Sequence, residues 1–347
     1  MKLLEVVSTT PAKAFVREYT ESELPASQVR VQVEFASAKH GTEFTHFRAI
    51  DPFKNNRFDD KLQMFIAEKE KEGQTHFHAP GNMFVGKITQ VGSEVQGFKV
   101  GDRVAGYGSF RTTQSLGVKY NHPLIMPEGM SWKEAVCYDP AHFALGGIRD
   151  GNVKLGDNVV VFGLGAIGLI AAQMAKLAGA RQVIVCDPIE LRRKAAIENG
   201  ADYAIDSAAE DAGLRIKELT GGRGADVTIE TSGNYRALHA AIRGAAYNSN
   251  IAVVGWYKEC KGGLDLGYEA HFNQPNILMS RAFSEPNRDY PRWDFDRICA
   301  TCWEMLSTGK IKCENIVNPV VPIEQAADMY MQIEQNPNNS VKLGVSF

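Results

Sequence analysis

Three scarcities bound this sequence. Cysteine comes to 6 in 347 residues, too few for a disulfide scaffold, which points to a reducing compartment. No apolar run reaches the roughly 18 residues that a membrane span needs. Neither sign of charge dominates: Lys plus Arg is 38, Asp plus Glu is 41, and the net charge is −3. That balance gives no electrostatic reason to expect nucleic acid or an anionic membrane as partner. The opening stretch MKLLEVVSTTPAKAFV has only short apolar runs, so no signal peptide is expected. The expectation is a cytoplasmic protein. The rest is an ordinary globular composition, 44% hydrophobic and 23% charged, over a length that suits two domains.

The cysteines stand at 137, 186, 260, 299, 302 and 313. Cys299 and Cys302 form a CxxC in an apolar stretch with helical spacing. One such pair, without a second pair or two histidines, is a weak metal signal. Thiols on a buried helix face are the expectation.

The N-terminal third reads as β-rich. Residues 28–36 alternate with period two, residues 84–95 form a second strand turning at Gly92–Ser93, and Val100-Gly-Asp-Arg-Val104 is a turn entering a third. Short strands with frequent glycine suggest a small barrel-like domain. The charged run 59–74 reads as a helical insertion. Past residue 140 the pattern changes. Apolar β-branched runs at 159–163, 183–187, 226–231 and 251–256 alternate with helical segments at 166–179 and 189–199. Such runs fit strands buried on both faces of a parallel sheet. The end of the chain carries a helix, a strand at 316–321 and a helix at 323–334.

The strongest chemical signal is Asn158-Val-Val-Val-Phe-Gly163-Leu164-Gly165-Ala166-Ile167-Gly168. A lone GxGxxG is weak. Here it follows a strand, opens a helix and precedes a second strand ending in Asp187, the context of a dinucleotide site. Gly163 permits the tight turn, Gly165 the approach of the pyrophosphate, and Gly168 close helix–strand packing. The helix N-terminus offers N–H groups to the phosphates. A carboxylate at Asp187 accepts from the ribose hydroxyls and repels a 2′-phosphate, which favours NAD over NADP. Arg192 and Arg193 either meet adenine or a phosphate, or are exposed helix residues. Thr231, Ser232, Gly233, Val254 and Gly255 end the next two strands, where ligands of open α/β sheets bind.

With these motifs in view, the chain resembles the medium-chain dehydrogenase/reductases, the superfamily of zinc alcohol and polyol dehydrogenases, over nearly its whole length. The carriers are Gly81-x-x-Phe84-Val85-Gly86, Val91-Gly92, Val100-Gly-Asp-Arg-Val104, the glycine motif and Asp187. The resemblance implies an α/β protein with a GroES-like β-barrel catalytic domain (1–143 and 286–347), a Rossmann domain (144–285) and a homodimer or homotetramer. It also shows departures. Where relatives carry a Cys as first zinc ligand, this chain has His40-Gly-Thr42-Glu43. Where they carry the His of GHExxG, it has Gly81-Asn82-Met83. The third ligand position falls at Asp139 in Tyr138-Asp-Pro-Ala-His142, and no four-cysteine lobe follows Arg103. Zinc takes three charged or imidazole ligands beside an open position, and Asn82 is a poor one. The ligand count favours no metal over a remodelled site completed by Glu43, His46 or His142.

Oxidising an alcohol needs a base for its proton and a group to stabilise the developing alkoxide. Without zinc, His40 is the first candidate, at the metal-anchoring position, with Thr42 where relatives keep a proton relay. Asp139 is a candidate to orient it, and Glu43 and His142 follow. Each also has a purely structural reading. Lys39 should face away from His40 if the segment is extended. His76 and His78 share a strand face, where a structural or cleft-lining role is favoured over a metal. Trp293 either stacks on a sugar or packs inside. The expected function is NAD-dependent interconversion of a secondary alcohol and a ketone on a polyol, cyclitol or sugar derivative. A zinc-free enoyl or quinone reductase and a non-catalytic nucleotide-binding relative are the competing readings.

Overall fold

The computed structural model describes residues 2–9, 13–48, 50, 52–68, 77–121, 123–258, 262–282 and 287–347. By density of contacts the chain divides into two compact units, one of residues 1–125, 320–337 and 343–347, the other of 126–319 and 338–342. This division falls elsewhere than the 143/144 and 285/286 boundaries expected above, because the helix Tyr138–Asp150 packs against Ala166–Leu177 of the nucleotide half, and Phe295–Ser307 packs on Tyr138–Asp150.

The first unit begins with β1 (Leu4–Thr9), β2 (Lys13–Glu18) and β3 (Gln28–Ser37), then α1 (His40–Phe47). There follow β4 (Asn56–Asp59), β5 (Met64–Ala67), β6 (Phe77–His78), β7 (Met83–Val91), β8 (Arg103–Tyr107), β9 (Thr113–Gly117), α2 (Val118–Asn121) and β10 (Leu124–Ile125). Its main sheet runs β10-β8-β7-β3 and continues into the C-terminal strands, with β9 also pairing β3. The alternation in β3 puts Val29, Val31 and Val33 at 2% exposure or less, so these valines enter the core on one face. The predicted helix over 59–74 is corrected: residues 56–67 form the antiparallel hairpin β4–β5, and 69–74 lie outside the described residues. Phe65 packs edge-on between Phe53 and Phe58 at 5.2 and 5.3 Å. Cross-strand aromatic contacts of this kind outweigh the charge pattern that suggested a helix.

The second unit contains α3 (Trp132–Ala135), α4 (Tyr138–Asp150), β11 (Asn158–Phe162), α5 (Ala166–Leu177), β12 (Gln182–Cys186), α6 (Glu190–Glu198), β13 (Tyr203–Ile205) and α7 (Ala212–Leu219). It continues with β14 (Ala225–Glu230), α8 (Tyr235–Gly244), β15 (Ala245–Val253), α9 (Glu269–Asn273), β16 (Asn276–Met279) and α10 (Phe295–Ser307). Its sheet is parallel, ordered β13-β12-β11-β14-β15-β16. All five residues of β11 are buried, as a strand covered on both faces requires. The chain then supplies β17 (Val317–Pro322), α11 (Ile323–Gln335) and β18 (Lys342–Ser346). β18 pairs with β3, and α11 packs on β1 and β2. The fold is the expected one, a β-barrel-like unit and a Rossmann sheet.

Candidate nucleotide site and active site

In the parallel sheet the strand order reverses between β11 and β14. Ligands of such sheets bind at the carboxyl ends beside that reversal. The glycine turn stands there. Gly163 has φ +83°, and a Cβ on it would lie 2.7 Å from the backbone N of Ser232. A Cβ on Gly168 would lie 1.8 Å from the carbonyl O of Gly163, so only glycine lets α5 start that close to the turn. Gly165 is the N-cap of α5, and a Cβ there would meet nothing within 4 Å. Beside Leu164, Ala166 and Ile167, that open space lies at a helix N-terminus and fits a pyrophosphate.

Asp187 is 3% exposed. One carboxylate oxygen accepts from the Leu164 N–H at 2.7 Å, the other from the Ile189 N–H at 2.8 Å. The carboxylate thus braces the turn as well as marking the end of β12. Arg192 and Arg193 are not the exposed helix residues that one reading expected. Arg192 donates to the carbonyl of Ser340 at 3.0 Å and stands 4.0 Å from Asp187; burial lowers its pKa. Arg193 donates to the Asp187 carbonyl at 2.8 Å and pairs with Asp206 at 2.8 Å. Both guanidiniums are therefore committed within the protein.

Thr231 donates its hydroxyl to the Gly163 carbonyl at 2.7 Å. Ser232 donates its hydroxyl to Glu230, the last residue of β14. Glu230 went unnoticed in the sequence, since a single carboxylate in an apolar strand shows no periodicity. It is fully buried, and burial raises its pKa against the pull of its hydrogen bonds. Its backbone carbonyl accepts from the N–H groups of Val254 at 2.8 Å and Gly255 at 2.9 Å.

In the first unit, His40 opens α1, so the segment is helical rather than extended. Its ring stacks on Phe44 at 5.1 Å and meets Tyr330 edge-on at 6.4 Å. Thr42 lies in the same first turn, half-buried. Glu43 reaches back to the N–H of Lys39 ahead of the helix, as in a capping box. Its other oxygen accepts from the Gly81 N–H at 3.3 Å. Tyr330 also hydrogen-bonds it, and burial followed by that carboxylate raises the Tyr330 pKa. These three donors give Glu43 a bracing place in the fold.

In the second unit, Asp139 and His142 are 2% and 1% exposed, one turn apart on α4. The His142 ring stands edge-on to Tyr138 at 4.2 Å. Cys302 is buried on α10, and burial raises its pKa; Cys299 is partly exposed. Trp293 lies between the guanidiniums of Arg149 at 3.7 Å and Arg297 at 4.1 Å, which commits its ring faces to protein. His76, Cys260 and the side chain of His46 lie outside the described residues.

Among the described residues, no three His, Cys, Asp or Glu side chains come together as metal ligands do. Of the three positions that the resemblance marks as zinc ligands, Asn82 offers only a neutral amide, a poor ligand. No helix among them is long and apolar enough to cross a membrane.

A family model described as zinc-binding dehydrogenase matches residues 166–297, a span that includes neither His40, Asn82 nor Asp139. The chain is 47% identical over 348 aligned residues to a D-guloside 3-dehydrogenase from Escherichia coli, covering 99% of each. It is 27% identical to a sorbitol dehydrogenase from Bacillus subtilis, covering 76% of this chain and 80% of that one. Among solved structures it is similar to galactitol-1-phosphate dehydrogenase from Escherichia coli, at TM-score 0.78, 20% identity and full coverage of both chains. It is also similar to an alcohol dehydrogenase from Escherichia coli complexed with NADH, at TM-score 0.74, 22% identity and 99% of each chain. A zinc-binding dehydrogenase from Sinorhizobium meliloti bound to NADP gives TM-score 0.76, 18% identity and full coverage of both. The glycine turn, the parallel sheet and 47% identity to a dehydrogenase over 99% of the chain agree: this chain is an oxidoreductase of the medium-chain dehydrogenase/reductase superfamily.

Proposed function

We propose that the chain is an NAD-dependent dehydrogenase that oxidises a secondary alcohol of a sugar derivative to the ketone, with glycosides as the first substrate class. The observation that carries this reading is the 47% identity, end to end, to a D-guloside 3-dehydrogenase. NAD rather than NADP is supported by Asp187 at the end of β12, and by the commitment of Arg192 and Arg193 to protein acceptors. A 2′-phosphate would meet a carboxylate and no free guanidinium.

A bound nicotinamide would supply the hydride acceptor for the carbinol carbon. The chain's own residues do the rest. Gly165 and the α5 N-terminus receive the pyrophosphate, and Asp187 accepts from the ribose hydroxyls. His40 takes the hydroxyl proton as the C–H bond breaks, and Thr42 stands at the position where relatives keep a proton relay. Asp139 is the candidate for orienting the base, and His142 follows His40 as a candidate for the base itself. No step is routed through zinc.

NAD reduction followed over glycosides, free hexoses, polyols, cyclitols and simple secondary alcohols tests the reading. Glycosides should give the highest kcat/KM. Turnover confined to quinones or enones would replace the reading with a reductase. NADH binding without turnover of any alcohol would replace it with a non-catalytic relative.

A further inference from the structure

Glu230 takes no part in the chemistry above, yet its buried carboxylate accepts four hydrogen bonds. One oxygen accepts from the Ser232 N–H at 2.7 Å and from the Ser232 hydroxyl. The other accepts from the Tyr257 hydroxyl at 2.6 Å and the Gly233 N–H at 3.3 Å. Ser232 and Gly233 belong to the loop after β14, Tyr257 to the loop after β15. The two loops touch: a Cβ on Gly255 would lie 2.3 Å from the Gly233 N, and one on Gly233 would lie 2.8 Å from the Trp256 carbonyl O.

Burying a carboxylate is costly, and hydrogen-bond donors only offset that cost. A chain that keeps the charge and supplies it with donors from two loops gains fixed geometry. These loops lie on the opposite side of the sheet reversal from Asp187 and β12. A dinucleotide with its adenosine ribose on Asp187 and its pyrophosphate on Gly165 directs its nicotinamide end toward them.

We infer that Glu230, through Tyr257, Ser232 and Gly233, is a positioning residue that holds the loops after β14 and β15 in the shape that receives the nicotinamide end of the cofactor. The inference rests on the NAD-dependent reading. Tyr257 brings a side-chain donor from the second loop.

The test compares NADH with ADP-ribose, which has the same adenosine and pyrophosphate but no nicotinamide. Dissociation constants and bound-NADH fluorescence are measured for the wild type, Glu230→Gln and Tyr257→Phe, below their melting temperatures. In Glu230→Gln, NADH should bind about tenfold more weakly, the size of one lost charge-assisted hydrogen bond. Its fluorescence enhancement on binding should fall, while ADP-ribose affinity stays within about twofold. Tyr257→Phe should show the same split at about threefold. If Glu230→Gln does not fold, Tyr257→Phe decides alone. Wild-type NADH affinity and fluorescence in both variants would overturn the inference. So would equal loss of NADH and ADP-ribose, which marks general damage. A wild type that binds no NADH would instead overturn the cofactor reading on which the inference rests.

Discussion

Asp187 serves two ends at once, and its replacement should reveal both. The side chain accepts two backbone N–H groups, one of them in the glycine turn. Hydrogen bonds to a charged group contribute about 1.5–3 kcal/mol each. Wild-type protein should bind NAD at least about tenfold more tightly than NADP, because a 2′-phosphate is repelled. Asp187→Ala should weaken NAD about tenfold or more and shrink that preference, as paired cofactor titrations would show. Equal affinity of the wild type for both cofactors would remove Asp187 from its role. At the other site, His40→Ala should lower kcat by about 10²–10⁴, the usual cost of losing a general base. ADP-ribose affinity should hold, since His40 lies outside the nucleotide unit. A variant keeping more than about half of wild-type kcat would move the proton to another group. Glu43 is a poor alternative, because Lys39, Gly81 and Tyr330 already occupy its carboxylate. Glu43→Ala should cost about 1–3 kcal/mol of stability in denaturant unfolding, through the loss of its three hydrogen bonds and the buried Tyr330 hydroxyl left without this acceptor.

The elements that position these residues differ in how plainly the sequence announces them. The strands of the parallel sheet were legible because burial on both faces leaves unbroken Val and Ile runs, as in β11 and β12. Three glycines at fixed spacing marked the turn because each answers a separate steric demand. The hairpin β4–β5 was not legible, since its charged flanks imitate a solvated helix while the Phe53, Phe58 and Phe65 contacts arise only on pairing. Glu230 was hidden for a related reason. Its donors come from loops about 25 residues apart that only the parallel pairing of β14 and β15 brings together. The glycine turn allows a test that separates fold from function. Gly165 has φ −69° and open space for a Cβ, so Gly165→Ala should change stability by less than about 1 kcal/mol. It should nevertheless weaken NAD by about tenfold or more, because the methyl occupies the pyrophosphate's approach. Gly168→Ala should do the reverse damage first. Its Cβ falls on the Gly163 carbonyl, and the clash should cost about 3 kcal/mol, read as a fall in melting temperature. Equal stability of the two variants would contradict the assignment of these glycines to different tasks.

On the scale of the whole molecule the open chemical question is the metal, and the donor census decides the expectation. A zinc site needs three or four deprotonated or imidazole ligands converging within about 2.0–2.3 Å of one point. The matched family is described as zinc-binding, yet the three positions that resemblance marks as ligands hold His40, Asn82 and Asp139. An amide oxygen is neutral and weakly basic toward zinc, which leaves two adequate donors. Among the described residues, no other group of three donors forms. The purified protein should therefore carry well below one zinc per chain in elemental analysis. Prolonged treatment with a chelator should leave both its melting temperature and its turnover of a glycoside unchanged. Stoichiometric zinc, or turnover lost to the chelator and restored by zinc alone, would show that His40 and Asp139 recruit a further ligand. His40 would then anchor a metal rather than take the alcohol's proton, and His40→Ala would lose zinc in proportion to its loss of kcat.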